Sequence, residues 1–129
     1  MSAAFDDSHT ILVAEDEAML RIVAVETLKD EGFTVFEAGD GVSALEVLRE
    51  HPEIELLISD IKMPRLGGYE LAEGALALRP NLKVLFMTGY STEAPPESLR
   101  ARAIKTLQKP FNVIQLSHAA KTMFGRAPG

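Results

Sequence analysis

Five short apolar runs punctuate the chain: Ile11-Leu12-Val13-Ala14, Thr34-Val35-Phe36-Glu37-Ala38, Ile54 to Ser59, Lys83-Val84-Leu85-Phe86-Met87, and Ala103 to Gln108. Between them lie longer stretches in which apolar residues return every three or four positions. That alternation is the sequence form of repeated strand-helix units and predicts an α/β domain. The first, third and fourth runs are almost continuously apolar. Such runs fit central strands of a parallel sheet, which are dry on both faces because helices cover both. Each interval is also long enough for the helical crossover that parallel neighbours require.

The helices have legible edges. Leu20, Val23, Ala24, Thr27 and Leu28 fall at the spacing of one buried stripe, and Gly32 follows where a C-terminal cap is wanted. Asp40 is placed to cap a second helix whose Ala44, Leu45 and Leu48 face inward and which ends before Pro52. A third runs from Gly68 to Leu78 with Leu71, Ala75 and Leu78 on one side, weakened by Gly74 in its middle. Pro95-Pro96 confine a fourth helix to a short one starting there, because proline is tolerated in a first turn and not beyond it. Asn112 and Gln115 form a capping-box pair for the last helix, whose Leu116, Ala119, Ala120, Met123 and Phe124 share a stripe. The expected organisation is one domain over 10–124, with short tails at 1–9 and 125–129.

Composition narrows the function. At 129 residues, 47% apolar and 25% charged, the chain has the make-up of one soluble globular core. Acidic residues outnumber basic ones 19 to 13, for a formal charge of -6, so nucleic acid is not an expected partner. The absence of cysteine excludes disulfides, thiolate metal sites and a cysteine nucleophile. No signal-peptide pattern or apolar run of membrane-spanning length occurs, and a cytoplasmic protein without membrane contact is expected. His9, His51 and His118 are not spaced as a metal pair and read as surface residues.

In an open α/β sheet, ligands bind at the carboxyl ends of the strands. Four of the five predicted strands end in polar groups there: Glu15-Asp16-Glu17, Asp60, Thr88-Gly89 and Lys109-Pro110. Carboxylates converging from two strands would repel one another, and one would titrate upward, unless a cation sat among them. Mg²⁺ suits such a set, since it binds oxygen and takes one or two direct carboxylates while keeping waters. Asp16 and Asp60 are the direct-ligand candidates, with Glu15 acting through water and the Lys62 backbone carbonyl completing the protein's share. Lys109 and Thr88 suit a tetrahedral anion, as a point charge and a hydroxyl donor. A phosphoryl group on Asp60 would lie between metal and Lys109, which is covalent catalysis at a carboxylate.

With these residues assembled, the sequence resembles the receiver domain of bacterial two-component response regulators, and is similar to the stand-alone chemotaxis type. The likeness rests on Ile11-Leu12-Val13-Ala14-Glu15-Asp16 with Arg21, Ser59-Asp60-Ile61-Lys62-Met63-Pro64 with Gly68, Phe86-Met87-Thr88-Gly89-Tyr90, and Lys109-Pro110-Phe111. It spans about Thr10 to Phe124, with four separated motifs in the family's order. It implies a flavodoxin-like, doubly wound five-stranded parallel sheet of strand order 2-1-3-4-5, and a Mg²⁺-dependent phosphoacceptor at Asp60. The implied donor is a histidine kinase or histidine phosphotransfer protein, and the implied output is contact with a downstream protein target. The string Phe86-x-Thr88-Gly89-Tyr90 further resembles a subgroup of single-domain regulators common in alphaproteobacteria.

One departure from the family bears on switching. Receivers of the common type carry Tyr or Phe three residues before the strand-5 lysine, where this chain has Thr106. The expected switch residues are therefore Thr88, Tyr90 and Thr106, with Tyr90 the nearest aromatic able to substitute. Phosphorylation is expected to draw Thr88 toward the phosphoryl oxygen and to reorder Gly89 to Arg102. Arg100, Arg102, Lys105 and Lys121 gather around the fourth helix, fifth strand and fifth helix, a face that contacts partners in this family. A monomer is expected.

Three rival readings compete with this one. A phosphate sink, or a receiver excised from a hybrid kinase, shares the chemistry. A haloacid-dehalogenase-type phosphatase wants a second acid two residues after its nucleophile, where Lys62 stands. A flavodoxin-like cofactor binder wants a glycine-rich loop after the first strand, where three acids stand instead.

Overall fold

The computed structural model describes residues 9–89, 94–100, 102 and 104–125. Five strands and five helices alternate along it: β1 Thr10–Ala14, α1 Ala18–Asp30, β2 Thr34–Ala38, α2 Gly41–Glu50, β3 Leu56–Asp60, α3 Gly68–Leu78, β4 Lys83–Thr88, α4 Glu97–Arg100, β5 Lys105–Gln108 and α5 Val113–Met123. The strands form one parallel sheet in the order β2-β1-β3-β4-β5. This is the expected topology, with β3 at its centre and β1 and β4 on either side.

The period of two along each strand splits the interior into two layers. Leu12, Ala14, Leu57, Val84 and Phe86 face α2 and α3, where they meet Ala44, Leu48, Leu71 and Ala75, with Leu99 of α4 joining them. Ile11, Val13, Leu56, Ile58, Leu85 and Met87 face the other way, against Ala24, Val25 and Leu28 of α1 and Leu116 and Ala120 of α5. Runs 1, 3 and 4 are apolar throughout because both of their faces are covered. β2 and β5, at the sheet's edges, carry most of the exposed positions, and Lys83 at the start of β4 is exposed as well.

Caps set the helix boundaries. Asp40 accepts from the Ser43 N–H at 2.8 Å, and Asn112 and Gln115 exchange side-chain-to-backbone bonds of 2.8 Å at the start of α5. Gly32, just past α1, has φ 100°, a conformation that glycine adopts without steric penalty. α4 is four residues long and starts directly after Pro95-Pro96, as the prolines require.

Several details differ from the sequence reading. In α1 the buried stripe is Ala24, Val25 and Leu28, while Val23 is exposed. The segment from Ala18 to Val25 is apolar on nearly every side, so its pattern admits two stripes, and Arg21 decides between them by turning inward to bond the backbone. In α3 the stripe is Leu71, Ala72, Ala75 and Leu76, which leaves Leu78 at the exposed last turn. β3 begins at Leu56, because Ile54, though buried, donates its N–H to the His51 carbonyl and closes the turn leaving α2. His9 and His51 are half-buried and not simply surface residues: His9 stacks on Phe124 at 4.1 Å and His51 on Phe36 at 4.1 Å, and only His118 is exposed.

Candidate functional site

Strand register builds the site. Ala14 pairs with Ser59, Asp60 with Met87, and Thr88 with Gln108, so the residues ending β1, β3 and β4 and the one following β5 align along one sheet edge. Two loop bonds tighten that edge. The Ile61 N–H donates to the Met87 carbonyl at 3.2 Å, and the Lys109 N–H donates to the Thr88 carbonyl at 2.7 Å.

The backbone step from Glu15 to Asp16 turns one carboxylate inward and the next outward. Glu15 is 1% exposed, Asp60 is half-buried and Asp16 is open to solvent, yet one oxygen from each lies within 4.8 Å of the others. Lys109 binds two of the three: its Nζ donates to Asp60 Oδ2 at 2.8 Å and to Glu15 Oε1 at 3.2 Å. Glu15 Oε2 accepts from the Glu17 N–H at 2.9 Å, and Asp60 Oδ1 from the Lys62 N–H at 3.3 Å. Arg21 holds the loop from beneath, donating through Nη1 to the Glu15 carbonyl at 2.8 Å and through Nε to Glu37 at 3.1 Å.

Burial, above all, pushes the Glu15 carboxyl upward from its ordinary range, and the Asp60 charge adds to it, against the Glu17 N–H and Lys109. Burial also disfavours the Lys109 ammonium, but the hydrogen bond and charge of Asp60, then those of Glu15, outweigh it and hold its pKa above the usual lysine value. The expected upward titration of one acid therefore falls on Glu15. Three carboxylates against one ammonium leave a formal charge of -2 at the cluster, which suits a hard divalent cation. Thr88 adds an independent sign of a ligand: its Oγ1 is buried and has no hydrogen-bond partner among the described residues. An orphaned buried hydroxyl is costly unless something is to occupy the space before it.

Glu15, Asp16, Asp60, Thr88 and Lys109 thus share one edge, and Lys62 follows Asp60 with its side chain exposed. Tyr90 lies outside the described residues. Thr106, on β5, pairs with Phe86 of β4 and is exposed. Of the basic face, Arg100 and Arg102 are exposed but tied to the Pro95 and Pro80 carbonyls at 3.0 Å each, and Lys105 is exposed at the start of β5. Lys121 does not join that face, because it pairs with Glu31 across the α1–α5 seam. Arg21 stands in the first motif, and the sequence alone assigns it no role. The signal was present, as a lone cation amid apolar residues at a helix's first turns.

Comparison with known proteins agrees with this geometry. The model of the response regulator receiver domain matches residues 11–121. The response regulator receiver protein CpdR of Brucella abortus is 40% identical over 114 residues, covering 88% of this chain and 94% of that protein. The sensor kinase CckA of the same organism is 37% identical over 118 residues, but the chain spans only 12% of the kinase's length. A solved response regulator receiver protein from Sinorhizobium medicae WSM419 superposes with a TM-score of 0.82 at 29% identity, covering 92% of this chain and 96% of that one.

Proposed function

The chain belongs to the response regulator receiver domain family, whose members are phosphorylation-dependent signalling switches, and from that membership we propose that Asp60 is its phosphoacceptor. The observation that carries the reading is that Asp60 sits at once on the Lys109 ammonium and in the three-carboxylate cluster. Asp16, Asp60 and the Lys62 carbonyl would hold Mg²⁺, with Glu15 reached through water. Bound there, the cation would supply charge neutralisation for the transferring group.

The chain's own residues account for the rest. An Asp60 oxygen forms a P–O bond as the donor's P–N bond breaks, and the departing imidazole takes up a proton. Lys109, already held at Asp60, offers its ammonium to the phosphoryl oxygens, and the unpartnered Thr88 hydroxyl donates to another. The donor is a histidine kinase or histidine phosphotransfer protein, and the output is a protein target met through exposed Arg100, Arg102 and Lys105. Residues 10–124 form the switching unit. We place it in the cytoplasm; no described helix is long and apolar enough to cross a membrane. The chemistry is confined to Asp60. Lys62, where an aspartyl phosphatase of the dehalogenase type needs an acid, works against turnover of outside substrates.

Intact mass after incubation with acetyl phosphate tests the reading. One added phosphoryl group is expected, dependent on Mg²⁺ and lost in Asp60→Asn. Addition that survives Asp60→Asn would refute Asp60 as the acceptor. The likeness to a sensor kinase favours one further reading, a phosphate sink or relay receiver. Rapid return of the phosphoryl group to a histidine phosphotransfer protein would select it.

A further inference from the structure

Arg65 is the one described non-glycine residue with a positive φ, 69°, and the chemistry above makes no use of it. Its guanidinium crosses to the first turn of α2, where Nη2 donates to Asp40 Oδ1 at 3.1 Å and to Ser43 Oγ at 3.4 Å. The neighbouring backbone meets the same turn: a Cβ built on Gly41 would lie 2.3 Å from the Leu66 carbonyl oxygen. At its far end the loop is closed by the Gly68 N–H, which donates to the Ile61 carbonyl at 2.7 Å. Gly68 itself packs so tightly that a Cβ there would come within 2.1 Å of the Asp60 carbonyl oxygen. Between these fixed points a shift at Arg65 has to be absorbed by Lys62, Met63 and Pro64.

We propose that Arg65 is a positioning residue, which through Asp40 and Ser43 latches the β3–α3 loop to α2 and so fixes the Lys62 carbonyl at the cation site. The inference rests on the reading of Lys62 as a backbone ligand. Asp40 is a stationary anchor, since it already caps α2 through the Ser43 N–H at 2.8 Å. That bond first, then Arg65 against slight desolvation, holds the Asp40 carboxyl below its usual range. An exposed ion pair contributes little to global stability, so the latch acts on the loop's position more than on the fold. Partners one step removed from a metal ligand act on affinity in this way.

The test is a backbone-amide NMR titration with MgCl₂ of the native chain, Arg65→Ala, Arg65→Gly, Asp40→Asn and the Arg65→Ala/Asp40→Asn pair, with Asp60→Asn as control. Arg65→Ala removes the latch and keeps the strained backbone, whereas Arg65→Gly removes both the latch and the strain. Asp40→Asn keeps a capping acceptor and removes the charge. Both Arg65 variants are expected to bind Mg²⁺ about 10-fold more weakly, with faster amide exchange at Gly68 and little change in melting temperature. Asp40→Asn is expected to weaken binding less, and to add nothing in the pair. Native affinity in Arg65→Gly would overturn the latch, because strain alone would then explain Arg65→Ala; so would simple additivity of the pair. Mg²⁺ binding indifferent to Asp60→Asn would instead refute the reading of the metal site. Gly68 exchange, measured without metal, would then decide the latch by itself.

Discussion

Thr88 carries a buried hydroxyl with no hydrogen-bond partner among the described residues, and Glu15 carries a buried carboxylate beside another carboxylate; each is a liability in the unphosphorylated protein. Thr88→Val replaces the hydroxyl by a methyl of similar size, so the variant is expected to match the native chain or exceed it by about 1 kcal/mol in urea unfolding. Its phosphorylation by acetyl phosphate is expected to fall. A hydroxyl with a structural partner would behave in the opposite way. For Glu15 the sign follows from its raised pKa. Its contribution to stability is fullest below the ordinary glutamate value of 4.5 and is lost as pH rises through the folded value. Metal-free Glu15→Gln should therefore melt a few degrees above the native chain at pH 7, and the gap should close toward pH 4. The candidate residues on β1, β3 and β4 are legible because those strand ends announce themselves: an apolar run stops at Glu15, Asp60 and Thr88, whereas Lys109 follows the polar edge strand Lys105–Gln108 and stands out by the Lys109-Pro110 pair. Which carboxylate turns inward was not legible, since Glu15 and Asp16 are one backbone step apart. Nor was the left-handed backbone at Arg65, which nothing in the local sequence demands.

The helices show where period-based reasoning succeeds and where it fails. The sequence bounds α3 at Gly68 and Leu78 and confines α4 to a short helix beginning at Pro95-Pro96; α3 has those bounds and α4 starts at the residue after the pair, Glu97, because a terminator and a proline pair act locally. The stripe of α1 was misplaced because a nearly all-apolar segment does not specify its own inner face; the polar Arg21 contact does. Gly74 lowers the helix propensity of α3, and its packing supplies a reason for it. A Cβ there would stand 3.3 Å from Leu45 Cδ2 of α2. Gly74→Ala gains helix propensity worth about 1 kcal/mol, and the contact is with the free end of a half-buried leucine that can yield. The expected result is a net gain below that figure in urea unfolding, with α2 and α3 still in register. A loss of more than that amount would show that Leu45 has nowhere to go.

Taken whole, the molecule separates its tasks by edge. The carboxyl edge of the sheet gathers the acids, the hydroxyl and the ammonium, while both faces are given over to packing. This division was legible in the sequence because alternation of runs fixes topology before any contact is known. At the opposite edge, His9 ahead of β1 lies flat on Phe124 beyond α5, and its Nδ1 stands 3.0 Å from Glu55. His9 and Phe124, at the two ends of the sheet-and-helix core, are therefore neighbours, gathered on the side facing away from Asp60. Anything fused or tethered at residue 9 or residue 124, whether a fluorophore, an affinity handle or a solid support, starts its path from the rear of the molecule. The edge that holds Asp60 lies on the other side, and a pair of dyes placed at residues 9 and 124 would report on the integrity of the domain at a distance from it.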